Sequence, residues 1–207
     1  MTGTTVHLAV YDTFADWEPG FATAQLTGLG YTVRTVGLTA EPVTTMGGVR
    51  VQPDLTLGGL APGDSALLLL TGASLWDSGD TLTPFARAAR TFLEAGVPVA
   101  AICGATAGLA REGLLDDRPH TSAVSYYLAA TGYAGGAHYV DADAVTDPGT
   151  DSGGASRGAL VTAGPTEPVA FAREIFGLLG VFTPEKLDAW YRLFHDSDAS
   201  AYEVLEG

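Results

Sequence analysis

Basic residues are scarce. The chain of 207 residues carries 10 Lys and Arg against 24 Asp and Glu, a formal net charge of −14. Such a surface is repelled by phosphate backbones and anionic lipid, so neither nucleic acid nor membrane is an expected partner. Cysteine is scarcer still, with Cys103 alone. One cysteine excludes an internal disulfide and a cysteine-based zinc cluster. Long apolar runs are also missing, none approaching the ~20 residues that span a bilayer. Met1 to Thr5 has no basic region and leads into Val6-His7-Leu8-Ala9-Val10, too short for a signal core and read as a strand. The expectation is a soluble, cytoplasmic protein in a reducing compartment, where a free thiol survives. At 46% apolar and 16% charged, the chain can bury a sizeable core. No repeat and no dividing linker stands out, so residues 1–207 read as one domain.

What is present alternates between strand and helix. Thr5 to Tyr11, Tyr31 to Val36 and Ala66 to Leu70 read as strands, the last a continuous apolar run suited to burial on both faces. Phe21 to Leu26 reads as a helix with Asp16 as its N-cap. Asp80 to Ala95 reads as another, with Leu82, Phe85, Ala89, Phe92 and Leu93 on one stripe. Pro42 to Gly58 reads as a hairpin around Met46-Gly47-Gly48. Further on, Ala123 to Ala130 is helical in pattern. His138-Tyr139-Val140, Ala144-Val145 and Ala159 to Thr162 read as short strands, the last two separated by a polar, Gly-rich, mobile hairpin loop from Asp147 to Gly158. A helix follows from Gly164-Pro165 to about Leu179. Thr183-Pro184-Glu185-Lys186 then caps a C-terminal helical segment, 183–207, whose Trp190, Tyr191 and Phe194 read as packing. This alternation predicts an α/β fold, a flavodoxin-like three-layer α/β/α sandwich on a mostly parallel sheet, with an added helical tail.

The stretch from Val97 to Gly113 organises the chemistry. An apolar strand ends at Cys103, Gly104 follows at once, and Ala105 to Ala110 can start a helix. This is the pattern of a nucleophile elbow, in which a side chain at a strand-to-helix corner faces free N–H groups and the positive end of the helix dipole. A thiolate is stabilised there. A lone cysteine is also a small hydrophobe that cores bury, and the local pattern leaves both readings open. Two other loops should reach the same carboxyl edge of the sheet: Asp16 to Pro19, with Glu18, and Thr71 to Trp76, with Gly72. Taken alone, Glu18 reads as a solvated first-turn acid, and His7 as a core histidine.

Ala101-Ile102-Cys103-Gly104-Ala105-Thr106-Ala107-Gly108-Leu109-Ala110 resembles the elbow of the ThiJ/PfpI superfamily. That superfamily includes class I glutamine amidotransferase-like hydrolases and a parkinsonism-associated deglycase. Tyr11 through Asp16-Trp17-Glu18, and Leu160 to Pro165 with Phe171-Ala172, extend the resemblance over about Val6 to Leu179. The resemblance implies Cys103 as nucleophile or oxidation-sensitive thiol, and Glu18 as the acid beside it. It implies backbone N–H groups of Gly72, Ala73 and Gly104 around an oxyanion, and Trp17 and Trp76 as pocket walls. Where hydrolytic members carry His after the cysteine, this chain has Gly104. His120 is then the candidate third member, or Ser122 takes that place with no base present. The expected activity is that of a cysteine hydrolase, amidase or carbonyl-processing stress-response protein, with a small-molecule substrate, no metal, no organic cofactor and a homodimeric state. The alternatives are a redox sensor acting through the same thiol and a glutaminase-type subunit. Proteolysis is not expected: a thiol without an oriented imidazole is poorly equipped for amide hydrolysis, where the leaving amine needs a proton, and a proton supplied by Glu18 suits hydration or carbonyl chemistry better.

Overall fold

A computed structural model describes residues 4–152 and 155–206. The first half of the chain holds β1 (Thr5–Ala9), α1 (Gly20–Gly28), β2 (Thr32–Gly37), the short strands β3 (Val43–Thr44), β4 (Arg50–Val51) and β5 (Leu55–Thr56), β6 (Leu67–Leu70), α2 (Thr83–Glu94) and β7 (Val99–Ile102). The second half holds α3 (Gly104–Arg111), α4 (Ser125–Ala129), β8 (Ala144–Asp147), β9 (Thr150–Ser152), β10 (Ala155–Arg157), β11 (Leu160–Ala163), α5 (Pro168–Leu179), α6 (Pro184–His195) and α7 (Tyr202–Glu206).

Seven strands form one sheet in the order β5-β2-β1-β6-β7-β11-β8. All neighbours are parallel except β8, which runs antiparallel along the edge of β11. The two central strands, β6 and β7, are buried at every position, because helices cover both faces of the sheet. The predicted sandwich is therefore present. Helix α2 turns Phe85, Ala86, Ala89, Phe92 and Leu93 inward, as its stripe predicts. No helix among the described residues is long and apolar enough to cross a membrane.

Several local expectations are corrected. Helix α1 begins at Gly20 behind Pro19 and has no side-chain cap. Asp16 instead accepts a 2.6 Å hydrogen bond from the Thr45 hydroxyl, tying the loop after β1 to the β3–β4 hairpin. His138 ends a 3-10 turn, and Tyr139 makes only a single bridge to His120, so no strand forms at 138–140. The Gly-rich segment forms the two-stranded hairpin β9–β10, and its residues 153–154 lie outside the described residues.

The C-terminal segment packs as its stripe predicts. Trp190 on α6 is buried against Phe176 of α5 and Phe21 of α1, with ring centroids 4.8 and 6.2 Å away. Its Nε1–H donates to Gln25 Oε1 at 3.2 Å. Thr183 caps α6 by accepting from the Lys186 N–H at 3.3 Å.

Candidate active site

The apolar β7 must be covered on both faces, and it stops at a residue that is not helical and not extended. Cys103 has φ 57° and ψ −130°, a left-handed setting rare for any residue with a Cβ. That kink throws the thiol out of the sheet and starts α3 at once, so the Gly104 N–H, in the first turn of α3, lies close enough to the sulfur to favour its charged form. The Thr106 hydroxyl donates back to the Cys103 carbonyl at 2.6 Å, and the Ser122 hydroxyl meets Thr106 Oγ1 at 2.7 Å. Ser122 thus braces the corner through Thr106 and, among the described residues, makes no hydrogen bond to the thiol.

Glu18 has no exposed surface. Its Oε2 accepts a 2.6 Å hydrogen bond from the Gly72 N–H. Its Oε1 is buried with no conventional hydrogen-bond partner and lies beside the thiol. Burial lifts the carboxyl from its ordinary value to about 7, although the Gly72 N–H and the Cys103 thiol both favour its charged form. Burial likewise pushes the thiol up to about 12, and the Glu18 charge adds to this, against the opposing pull of the Gly104 N–H.

Gly72 explains how the two groups meet. A Cβ there would lie 2.7 Å from Cys103 Sγ and 3.0 Å from Glu18 Oε1. Its glycine identity serves this close approach, since no positive φ is involved. The Gly72 N–H was expected to face an oxyanion, but the carboxylate of Glu18 occupies it. The Ala73 N–H makes no backbone hydrogen bond among the described residues. It and the Gly104 N–H are two backbone donors that the loop after β6 and the start of α3 leave without a backbone partner among the described residues.

The two tryptophans part company. Trp17 is half exposed outside the corner, whereas Trp76 is 2% exposed and lies under α3. A Cβ at Gly108 would come within 2.2 Å of Trp76 Cζ3, and one at Gly104 within 3.2 Å of Trp76 Cβ. Trp76 is a packing residue that seats the elbow helix, not the pocket wall expected of it. Its Nε1–H donates to the Thr71 carbonyl at 2.9 Å and to the Tyr11 hydroxyl at 3.1 Å, and Tyr11 itself donates to Thr71. This network fixes the backbone one residue before Gly72.

His120 is fully buried, with both ring nitrogens engaged: Nδ1 with the Arg118 carbonyl at 2.9 Å, Nε2 with the Tyr133 hydroxyl at 3.1 Å. The structure thus commits it away from the sulfur, and among the described residues no imidazole hydrogen-bonds Cys103. Two residues near the thiol were missed. The Tyr127 hydroxyl donates to Asp77 Oδ1 at 2.8 Å, and both side chains sit close enough to couple electrostatically to Cys103. Their only signal in the sequence was position in the loops flanking the elbow. Among the described residues, possible metal ligands gather at Asp143, Glu167 and His195, with ligating atoms within 4.8 Å of one another. His195 Nδ1 already contacts Asp196 there, at 2.6 Å.

A parallel α/β/α sheet with a strained cysteine at a strand-to-helix corner, facing a buried carboxyl from the loop after β1, defines a class of thiol proteins. The chain belongs to the DJ-1/PfpI family, whose profile matches residues 4–177. It is 36% identical over 198 residues to the uncharacterized protease YoaZ of Bacillus subtilis, covering 91% of this chain and 89% of that protein. Among solved structures, it superposes with a TM-score of 0.88 on a ThiJ/PfpI family protein from Bacillus anthracis, at 34% identity, covering 100% of this chain and 97% of that one. A DJ-1 superfamily protein from Agrobacterium tumefaciens gives a TM-score of 0.78 at 33% identity, covering 95% and 99% of the two chains.

Proposed function

We propose that this chain is a thiol-dependent enzyme acting on small electrophilic carbonyl compounds, with Cys103 as nucleophile and Glu18 managing its proton. One observation carries the reading: the buried Glu18 is anchored by one oxygen and leaves the other with no conventional partner beside the thiol. A carboxyl titrating near 7 is poised to accept and return a proton at neutral pH. In its charged form it takes the thiol proton as Sγ attacks the carbonyl carbon. The C–S bond forms, the π pair moves to oxygen, and Glu18 returns the proton to that oxygen. The product of this step is a hemithioacetal, and the carboxylate is regenerated. The Ala73 and Gly104 N–H groups are the donors that steady the oxyanion on the way.

The rivals are less well supported. A glutaminase-type site in its usual form needs an imidazole at the sulfur, and His120 is engaged elsewhere. A peroxide sensor would use the same thiol and the same Glu18, and no observation beyond that shared geometry favours it. The relatives' name of protease is not carried over, because no imidazole stands at Cys103 and the proton that Glu18 holds suits return to a carbonyl oxygen.

Turnover of methylglyoxal, a neutral 2-oxoaldehyde, tests the reading alongside an activated ester. Cys103→Ser is expected to fall to the buffer rate on both. A Cys103→Ser protein that keeps full turnover sinks it.

A further inference from the structure

The chain has 10 basic residues, and three of them, Arg90, Arg118 and Arg157, line one cavity of about 360 Å³. The cavity lies at the amino edge of the sheet. Gly158, ahead of β11, packs there against Leu93 and the Val97 carbonyl, ahead of β7, whereas Cys103 follows β7 at the other edge. It is a separate place from the thiol site.

Arg118 is the unusual member. It is 3% exposed. A guanidinium has five N–H donors in a fixed fork, and burial makes each unpaired one costly. Arg118 Nε faces Asp147 Oδ2 at 3.3 Å without forming a hydrogen bond, and Nη1 reaches the Gly158 carbonyl at 3.4 Å. Nη2 makes no hydrogen bond among the described residues. Burial lowers the Arg118 pKa, and the like charge of nearby Arg157 lowers it further, against the opposing pull of Asp147 and Asp117. Two guanidiniums crowding one cavity favour an anion between them.

The other two arginines are held on one side and free on the other. Arg157 grips Asp117 with both terminal nitrogens, and Arg90 donates through Nη2 to the Glu112 carbonyl. Arg157 Nε, and Arg90 Nε and Nη1, make no hydrogen bond among the described residues. Glu94 and Asp117 also line the cavity, Asp147 stands behind Arg118, and the Glu112 carboxylate lies 3.6 Å from Arg90 Nη2. This local balance is near neutral in a chain of −14, so it suits one small anionic group and rejects a polyanion.

We propose that this cavity binds a small molecule bearing a single oxyanion group, a phosphate monoester or a carboxylate, held by Arg118 Nη2 and the free donors of Arg90 and Arg157. Its volume is that of a small-ligand pocket.

The test uses the full chain, calorimetric titration and thermal shift, with phenyl phosphate and benzoate as probes against potassium chloride at matched ionic strength. Saturable 1:1 binding of either probe supports the proposal, and the tighter of the two names the group. Losing one charge-assisted hydrogen bond should weaken binding about tenfold in Arg157→Gln and again in Arg90→Gln. Both positions are partly exposed, so the variants test the site without removing buried Arg118. Cys103→Ser should bind as the parent does. Three outcomes overturn the proposal: no binding beyond the chloride control, unchanged affinity in both arginine variants, or affinity lost in Cys103→Ser, which would place the probe at the thiol.

Discussion

Glu18 and His120 are both shut away from solvent, and both came from the sequence as partners for one thiol. His120 has a protein partner for each ring nitrogen. Glu18 has a partner for one oxygen and leaves the other buried beside Cys103. A buried polar group that is fully paired holds a fold together. One that is half paired is held at a cost, and its free half is where a reacting partner fits. Burial acts on the two in opposite senses: it lowers the His120 pKa, which keeps the ring neutral, and lifts Glu18 into the neutral range, where it can change state.

The sharpest way to break this contrast is Glu18→Gln, which keeps an acceptor for Gly72 but removes the titrating group. It should lower kcat/KM on methylglyoxal by about 10²- to 10⁴-fold, the usual weight of a general base. In the parent, kcat/KM should climb as pH rises through about 7, because the charged form of Glu18 accepts the proton. A parent profile flat across that range, or a variant keeping the same limb, would detach Glu18 from the reaction.

Stability against pH is the next largest effect. The folded pKa of Glu18 is raised from 4.5 to about 7, so its contribution is fully present below 4.5 and is lost as pH climbs through 7. The loss is on the order of 3 kcal/mol. Denaturant melts of the parent should therefore fall relative to Glu18→Gln between those pH values, and parallel curves would show that the carboxyl is not buried in the folded protein.

His120→Phe should behave in the opposite way. It strands the Arg118 carbonyl and the Tyr133 hydroxyl, so it should cost roughly 1–3 kcal/mol of stability. Its kcat/KM should stay within a few-fold of the parent; a loss near that of Glu18→Gln would restore His120 to the chemistry. Smallest of all, Ser122→Ala removes one hydroxyl contact to Thr106 and should cost about 1 kcal/mol, read by the same melts, with turnover little changed.

The elbow was legible because it is local: an apolar run, one cysteine, a glycine and small residues in a row. The central sheet was legible for a similar reason, since β6 and β7 are covered on both faces and carry unbroken apolar runs. What could not be read is set by approach across the fold. Asp16 has the look of a helix cap and instead serves a hairpin 29 residues away. Trp76 has the look of a loop aromatic, and only the notch at Gly108 shows that it lies beneath a helix. Gly72 was read as a donor, and its N–H belongs to an acid 54 positions earlier. The arginine cavity was invisible because its members are scattered from residue 90 to residue 157 with no spacing rule to join them.

The left-handed turn at Cys103 has one more consequence. A Cβ in that conformation costs on the order of 1–3 kcal/mol, carried by every folded molecule whether or not substrate is present. Glycine would sit there without strain and bring no thiol. Stability alone does not favour a cysteine here, and mutations that strengthen the rest of the fold widen the margin within which it can stay.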